Sequence, residues 1–408
     1  MTVNHANPTS NADTTPRLPM AALLALAMTG FLCIITETLP AGLLPQIAEG
    51  LAVSTSLAGQ TVTAYALGSI VAAIPLTVAT QRWRRRSVLL LTIVGFLVFN
   101  SITAVSSSYP VTLVARFLAG MAAGLGWSLL AGYARRMVPV AQQGRALAVA
   151  MVGTPIALSL GVPLGTWLGA HMGWRSAFVA ASLLTLVLIV WVLAKVPDYP
   201  GQAGDRRLPL RKVFTTPGVR PVLAVVVAWM LTHNILYTYI APFVAQAGLA
   251  SQVDIVLLTF GLTSLIAIGI AGRLVDHHLR GSVLASLAGF ALVASALAVA
   301  ARSPAVMYAG VGIWGLTFGG AATFLQTALA DTAGDGADVA LSMNVMAWNG
   351  AIAGGGLVGG AALQAFGPAS LPPLMVALLA IAFAIAWLAR SRGFRAGARH
   401  VHEPVYGH

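Results

Sequence analysis

Long apolar runs follow one another along almost the whole chain and are separated by short polar or glycine- and proline-containing segments. About 20 consecutive apolar residues cross a bilayer as a helix, whereas a transmembrane barrel needs short strands of alternating polarity. The pattern therefore predicts an all-α integral membrane protein with twelve membrane-spanning helices. The predicted spans cover residues 19–45, 57–80, 87–107, 110–133, 144–169, 174–194, 220–246, 253–275, 281–300, 304–330, 339–365 and 370–389.

The longest internal polar stretch, residues 198–218, lies between the sixth and seventh predicted spans. The halves on either side echo each other weakly, because TVATQRWRRRS follows the second span and AGRLVDHHLRGS follows the eighth. Two parallel six-helix repeats are typical of transporters that carry a solute at their midplane. We therefore expect two pseudo-symmetric six-helix bundles. The predicted organisation is a disordered tail (1–18), a first bundle (19–196), a linker (197–219), a second bundle (220–390) and a tail (391–408).

Composition excludes several classes of protein. The chain is 58% apolar and only 8% charged, whereas a soluble domain carries about 25% charged residues. A soluble enzyme, a disordered chain and a nucleic-acid-binding protein are therefore ruled out. The single cysteine, Cys33, excludes an intrachain disulfide and a cysteine-ligated zinc site. Neither a phosphate-binding loop nor a metal-binding or hydrolase motif is present, so we expect no cofactor, no metal and no enzymatic activity.

The basic residues predict topology. Of the 23 Lys and Arg residues, Arg116 lies inside a predicted span, and only Arg175 and Arg302 lie on one side of the membrane. All others fall on the opposite side, which the positive-inside rule identifies as cytoplasmic. Both termini are therefore predicted to be cytoplasmic, and the net charge of +12 is a topology signal. We expect a multi-pass protein of the plasma membrane, in a bacterium the inner membrane.

The loops carry a resemblance to a known family, the major facilitator superfamily, and within it to the drug:proton antiporters and arabinose-efflux permeases. That family has a G-x-L-a-D-R-x-G-R-R loop, and residues 77–86 keep its basic positions, with Arg82 and Arg85, but not its Asp or its glycines. The resemblance assigns roles in gating or helix packing to these two arginines, to the second copy of the loop and to an antiporter-type signature in the fifth span. Those further residues are Gly272, Asp276 and Arg280, and Gly153, Gly161, Pro163 and Gly165.

Charges inside the spans are the first candidates for mechanism. Away from the ends of the predicted spans, Glu37 is the only one of the eleven acids inside a span, and Arg116 is the only Lys or Arg there. A charge at mid-helix costs about 2.5–3.5 kcal/mol on insertion scales, so such a residue is a functional candidate by default. We predict that Glu37 carries a proton and that its protonation rearranges Arg116. A static pair that joins the first and fourth spans is the alternative.

Polar and aromatic side chains within the spans are candidates for binding a solute. The seventh span carries a dense polar cluster, and aligning the two halves places its histidine within a turn of the position equivalent to Glu37. Aromatic rings with a few amide groups suit an amphipathic organic solute, and each such residue also fits a role in helix packing. The candidates are Tyr65, Trp127, His233, Asn234, Tyr237, Tyr239, Gln326, Asn344, Trp348 and Asn349.

These features predict a secondary transporter that exports a small organic compound, such as a drug, sugar or nucleoside-like solute, by proton antiport and alternating access. Its partners would be the small-molecule substrate, protons and the lipid bilayer, without nucleic acid, and we expect a monomer. Two alternatives remain open from the sequence. One is a proton symporter for uptake, and the other is a non-transporting membrane receptor or scaffold.

Overall fold

A computed structural model of the protein describes residues 18–73, 75–139, 142–201 and 210–395. The predicted tails at 1–17 and 396–408, and residues 202–209 of the predicted linker, lie outside this part. The described residues form helices and contain no strand. The α-helices are α1 Met20–Gly42, α2 Leu44–Gly50, α3 Thr55–Ala73, α4 Pro75–Ala79, α5 Arg85–Val105, α6 Tyr109–Arg136, α7 Gln143–Met151, α8 Gly153–Ile156, α9 Val162–Met172, α10 Trp174–Lys195, α11 Leu210–Phe214, α12 Val219–Thr238, α13 Ile240–Val244, α14 Val253–Ala300, α15 Pro304–Phe318, α16 Ala321–Ala333, α17 Ala337–Phe366 and α18 Leu371–Leu388.

The prediction of an all-helical membrane fold is confirmed. In the described part of the chain, nine helical segments are long and apolar enough to cross a membrane. One of them, α14, contains both the eighth and the ninth predicted spans, and its only non-helical residue is His278 (φ −131°, ψ 28°). The two spans are separate helices that meet at a kink at His278, and the helical run is continuous there because residues 275–280 contain neither glycine nor proline to end it.

The second and eleventh predicted spans, α3 and α17, are not among those nine segments. These two helices pack against each other along the interface between the halves. Further contacts across the interface join α1 to α12, α2 to α13 and α9 to α14. Within each half, α3 packs on α6, α5 on α10, α12 on α17 and α14 on α15. The bundle boundaries at residues 196 and 220 stay a prediction.

The fifth predicted span contains a widened turn. Residues Ala157–Gly161 form a π-helical segment between α8 and α9, directly before Pro163. Proline has no N–H to donate within a helix, and such single π turns accommodate this kind of irregularity. The glycines of this span face α1: a Cβ built on Gly153 would overlap the main chain of Ala27, and one on Gly165 would lie 2.5 Å from Leu39. The glycine stripe therefore packs within one half.

The two ends of the helical assembly differ in charge. We call one the basic end; it carries the segments 80–84, 137–139, 196–201, 210–218, 334–336 and 389–395. The opposite end carries the segments 43–54, 106–108, 239–252, 301–303 and 367–370, and we call it the Arg-poor end. The predicted topology places the basic end in the cytoplasm.

Candidate functional site

Glu37 and Arg116 meet in the first half, closer to the Arg-poor end than to the basic end. Glu37 lies five residues before the end of α1, and Arg116 lies in the second turn of α6. Arg116 is 0% exposed and Glu37 is 7% exposed. The depths expected from the sequence are therefore compatible, and the two residues are neighbours.

Main-chain carbonyls hold the Arg116 guanidinium in place. Its Nε donates to the carbonyl oxygen of Thr61 on α3, and its Nη2 donates to the carbonyl oxygen of Glu37, each at 3.3 Å. Its Cζ lies 4.9 Å from the centroid of the Tyr65 ring, within the range of a cation–π contact. Arg116 therefore joins α1, α3 and α6, while its Nη1 has no hydrogen-bond partner.

The carboxylate of Glu37 is not engaged by this arginine. No nitrogen of Arg116 lies within 4.0 Å of a Glu37 carboxylate oxygen, and no residue in the described ranges donates a hydrogen bond to that carboxylate. The hydroxyl of Tyr237, from α12 of the other half, lies next to Thr38, the residue that follows Glu37 on α1. The acid therefore lies at the interface between the halves, beside a polar group of the opposite half.

An aromatic cluster faces this acid from the second half. We define it as His233 and Tyr237 of α12, Phe260 of α14, and Trp314 and Phe318 of α15. The His233 ring stacks on Phe318 with centroids 3.6 Å apart and planes inclined by 1°. It also lies 5.2 Å from both Tyr237 and Trp314, centroid to centroid. Stacked and edge-on rings at these spacings are the arrangements that aromatic side chains prefer, and all five residues are at most 8% exposed.

Three polar atoms of the aromatic cluster are buried without a hydrogen-bond partner. They are Nδ1 of His233, the hydroxyl of Tyr237 and Nε1 of Trp314. More than 90% of buried polar groups in proteins are hydrogen-bonded, so each exception requires an explanation. Together with Nη1 of Arg116, these atoms offer donors and acceptors on both sides of the interface. These atoms are available for hydrogen bonds to a group that enters between the halves.

The other sequence candidates are spread over several environments. Tyr65 is fully buried and its hydroxyl donates to the carbonyl of Cys33 at 2.8 Å. Asn234 and Asn349 are buried and bond to carbonyls of their own helices, Met230 and Val345. The following candidates make none of these contacts: Asn344 is buried with its Oδ1 unpartnered, Trp127 and Trp348 are half-buried, and Gln326 is exposed.

Tyr239 lies in a separate contact, which we call the Tyr239 junction. It consists of Ser56, Gly59 and Gln60 of α3, Tyr239, and Gly356, Gly359 and Gly360 of α17. The Tyr239 hydroxyl donates to the Gly356 carbonyl at 2.6 Å, and Gln60 Nε2 donates to the same oxygen at 3.2 Å. A Cβ on Gly59 would overlap the Tyr239 ring. The junction joins the halves at the Arg-poor end.

The arginine loop at the basic end is joined to the segment after α10. Asp198 accepts a hydrogen bond from Arg84 Nε and one from the Arg86 amide at 3.1 Å. Partial burial would raise the pKa of Asp198, but these hydrogen bonds and the two arginine charges outweigh it and hold the pKa below its ordinary range. Asp198 thus supplies a carboxylate to a loop that lacks the family's acid. Arg82 is exposed, whereas Arg85 is buried and donates to the Gln81 carbonyl.

The second copy of the loop contacts the last helix. Arg280 donates to the carbonyls of Ala386, Trp387 and Phe394, where its charge complements the carboxyl end of α18. Gly272 and Asp276 are on the surface of α14.

Sequence reasoning missed Phe260, Phe318 and Asp198. Trp314 and Phe318 are four residues apart and therefore share a helix face, a spacing that identifies the pair. No pattern in the sequence identifies the contact of Asp198, because that contact depends on how the segment after α10 folds back on the arginine loop.

Comparisons with known proteins agree with this architecture. The family model "Major Facilitator Superfamily" matches residues 26–353. The purine ribonucleoside efflux pump NepI of Shigella sonnei (strain Ss046) is 31% identical over 374 residues, covering 89% of this chain and 92% of the pump. The protein of that name from Escherichia coli (strain K12) is 31% identical over 375 residues, covering 90% and 92%.

Two solved structures share the fold. One is a bacterial homolog of the human lysosomal transporter Spinster in an inward-facing, occupied conformation. Its TM-score is 0.73 at 14% identity, with 92% of this chain and 97% of that chain covered. The other is the human organic anion transporter MFSD10, with a TM-score of 0.67 at 18% identity over 90% and 99% of the two chains.

Proposed function

The chain belongs to the major facilitator superfamily and is a membrane transporter, not an enzyme, and on that premise we propose that it exports a purine-nucleoside-like solute by proton antiport. Export and the purine class are suggested by the relatives, whose printed function is purine ribonucleoside efflux. The proposed location is a bacterial inner membrane with the basic end in the cytoplasm, following the arginine distribution.

The observation that carries the proposal is the environment of Glu37. This acid lies within a span, at the interface between the halves, and its carboxylate accepts no hydrogen bond from the described residues. A carboxyl group there can exchange a proton without first breaking a protein contact. Its neighbour Arg116 is already fixed by two carbonyls, so the charge state of Glu37 changes the attraction between α1 and α6 and the polarity beside Tyr237.

The aromatic cluster is the proposed surface for the solute. A purine base is planar, has a polar edge and stacks well on aromatic rings. In this conformation the faces of His233 and Phe318 stack on each other, so the base would insert when the halves separate, and the unpartnered atoms of Tyr237 and Trp314 would bond to its edge. Because Tyr237 lies next to Thr38, the residue after Glu37, a bound solute and a proton on Glu37 would compete for the same polar environment. Antiport requires such competition.

Transport into inverted membrane vesicles tests the proposal. With an acidic lumen, a proton antiporter for export accumulates labelled adenosine in the lumen, and excess unlabelled guanosine competes more strongly than uridine. The Glu37→Gln variant keeps the size of the side chain but cannot titrate, so gradient-driven accumulation should be lost. Its exchange of labelled for unlabelled adenosine without a gradient should persist and shows that the variant is folded.

The matched control is Glu49→Gln, which removes an exposed acid at the Arg-poor end and should leave accumulation unchanged. Proton-driven accumulation that survives in Glu37→Gln contradicts the assignment of Glu37. Release of adenosine from the acidic vesicles, in place of uptake, identifies a symporter. An absence of flux for every solute tested supports the receptor or scaffold alternative.

A further inference from the structure

An open groove near the basic end is not explained by transport of a solute. It has a volume of about 650 Å³ and lies between α12 and α17, with α11 at its basic end. The α12 side presents Arg220, Leu223, Ala224 and Val227, which follow the three- and four-residue spacing of one helix face. The residues from α17 and α11 are Met343, Met346 and Ala347, and Leu210, Arg211 and Phe214.

The groove is polar only at one end. Arg211 and Arg220 are exposed there, and none of the lining residues is acidic. From Arg220 to Val227 the wall of α12 extends about 10 Å toward the membrane centre, at 1.5 Å per residue. A cationic mouth followed by an apolar channel of this length has the polarity of one phospholipid: an anionic headgroup outside and an acyl chain inside.

The two arginines are held in position by the fold. Val213 of α11 is buried against Gly336, where a Cβ would lie 2.8 Å from its side chain. Gly218 turns the chain from α11 into α12 with φ of +100°, and a Cβ there would overlap the main chain of Arg392. The short helix is therefore fixed against the second half, and the site does not depend on a mobile tether.

The guanidinium of Arg220 has hydrogen-bond donors that the described residues do not use. Its Nε donates to the Phe214 carbonyl at 3.2 Å, and its Cζ lies 5.0 Å from the Phe214 ring centroid. Its two Nη groups make no hydrogen bond to any residue in the described ranges. Guanidinium groups bind phosphate oxygens in a bidentate manner, and basic pockets between membrane helices bind anionic headgroups.

We propose that this groove is a binding site for one anionic phospholipid, with its phosphodiester between Arg211 and Arg220 and an acyl chain along α12 and α17. The phosphate could in principle come from a free anion, but the apolar channel below the arginines favours a lipid. The occupant would hold α11 of the linker on the second half and so set the position of the segment that joins the two halves.

Native mass spectrometry of the purified full-length protein in detergent tests this site. Phosphatidylglycerol should form a single saturable complex, whereas phosphatidylcholine with the same acyl chains should bind more weakly. The double variant Arg211→Gln, Arg220→Gln should weaken the phosphatidylglycerol complex roughly tenfold, since each cation near an anionic surface contributes to its attraction. The control Arg273→Gln, Arg390→Gln removes two exposed arginines elsewhere at the basic end and should bind as the wild type does.

A second variant tests the apolar part of the groove independently. Ala224→Trp fills the channel while leaving both arginines in place, and it should reduce phosphatidylglycerol binding in the same assay. Excess inorganic phosphate should not displace the lipid. Equal binding of the two lipids, displacement by phosphate, or unchanged binding in both variants, each with wild-type elution in size-exclusion chromatography, overturns the proposal.

Discussion

The two ends of the molecule are joined in different ways. At the Arg-poor end, α3 and α17 come close enough for side chains of one half to bond to main-chain carbonyls of the other. At the basic end, Arg84 bonds to Asp198 at the start of the predicted linker, and Arg280 bonds to the end of α18 in its own half. Five hydrogen bonds of the Tyr239 junction cross between the halves.

This difference shows how the fold can alternate. The Arg-poor end closes by small residues and main-chain acceptors, which act only at very short range and are lost when the helices separate by a few ångström. The basic end consists of loops that are each stable within one half, so the halves can separate there without breaking them. We therefore interpret this conformation as closed at the Arg-poor end, with Glu37 and the aromatic cluster on the inner side of the Tyr239 junction.

The largest expected effect comes from preventing the close approach of α3 to the Tyr239 ring. In Gly59→Val a side chain would overlap the Tyr239 ring, and overpacking of this kind costs about 1–3 kcal/mol. The Arg-poor end should then open, by a shift of roughly 5- to 150-fold in the equilibrium, and transport should fall accordingly. Spin labels at Glu49→Cys and Ser251→Cys, in a Cys33→Ser background, should report longer distances by pulsed electron resonance.

The matched control for that experiment is Gly350→Val on α17, where a Cβ would meet nothing within 4 Å. It carries the same helix-propensity cost and should leave the distances unchanged. A label pair at the basic end, Trp83→Cys with Ser391→Cys, should shorten when Gly59→Val lengthens the first pair. Distances that do not change at either end would show that the Tyr239 junction does not control closure.

A smaller effect is expected from removing only the hydroxyl group of Tyr239. Tyr239→Phe removes the donor to the Gly356 carbonyl but leaves the ring between the two helices, and Gln60 still donates to that oxygen. One such hydrogen bond contributes about 0.5–1.5 kcal/mol, so the same label pair should show partial opening. The control Tyr308→Phe also removes a hydroxyl at this end, but its bond to Gln252 lies within one half. If both variants shift the distances equally, the junction has no special role.

The spans and the two unusual charges could be predicted from the sequence because each depends on local composition. Apolar runs mark membrane helices whatever their neighbours are, and a lone acid or arginine in such a run is evident by its rarity. The adjacency of Glu37 and Arg116 could be expected from their depths alone. The atoms that make this contact could not be predicted, since Arg116 bonds to the main-chain carbonyl of Glu37 and not to its carboxylate.

The lateral contacts of each helix could not be predicted in this way. His233 and Tyr239 lie on the same helical run, yet one belongs to the aromatic cluster and the other to the Tyr239 junction. Both are buried, so hydrophobicity does not distinguish the faces of α12. Phenylalanines such as Phe260 and Phe318 are equally common against lipid, and only packing shows that they face His233.

The smallest effect is expected at the basic end. Arg84 is mostly exposed, with 69% of its side chain accessible, so its pair with Asp198 is screened by solvent and contributes about 0–1 kcal/mol. The pKa of Asp198 is held below its ordinary range. The stabilisation is therefore present above the ordinary carboxyl pKa and is lost as the pH falls through the lower value in the folded protein.

Asp198→Asn should lower the thermal unfolding midpoint slightly at pH 7, and the difference should shrink in high salt. A double-mutant cycle with Arg84→Gln isolates the pair, with Arg82→Gln as the exposed control from the same loop. Because neither partner lies in the second half, the label distances at the Arg-poor end should stay unchanged, and a change there would mean that the two ends are coupled through this contact.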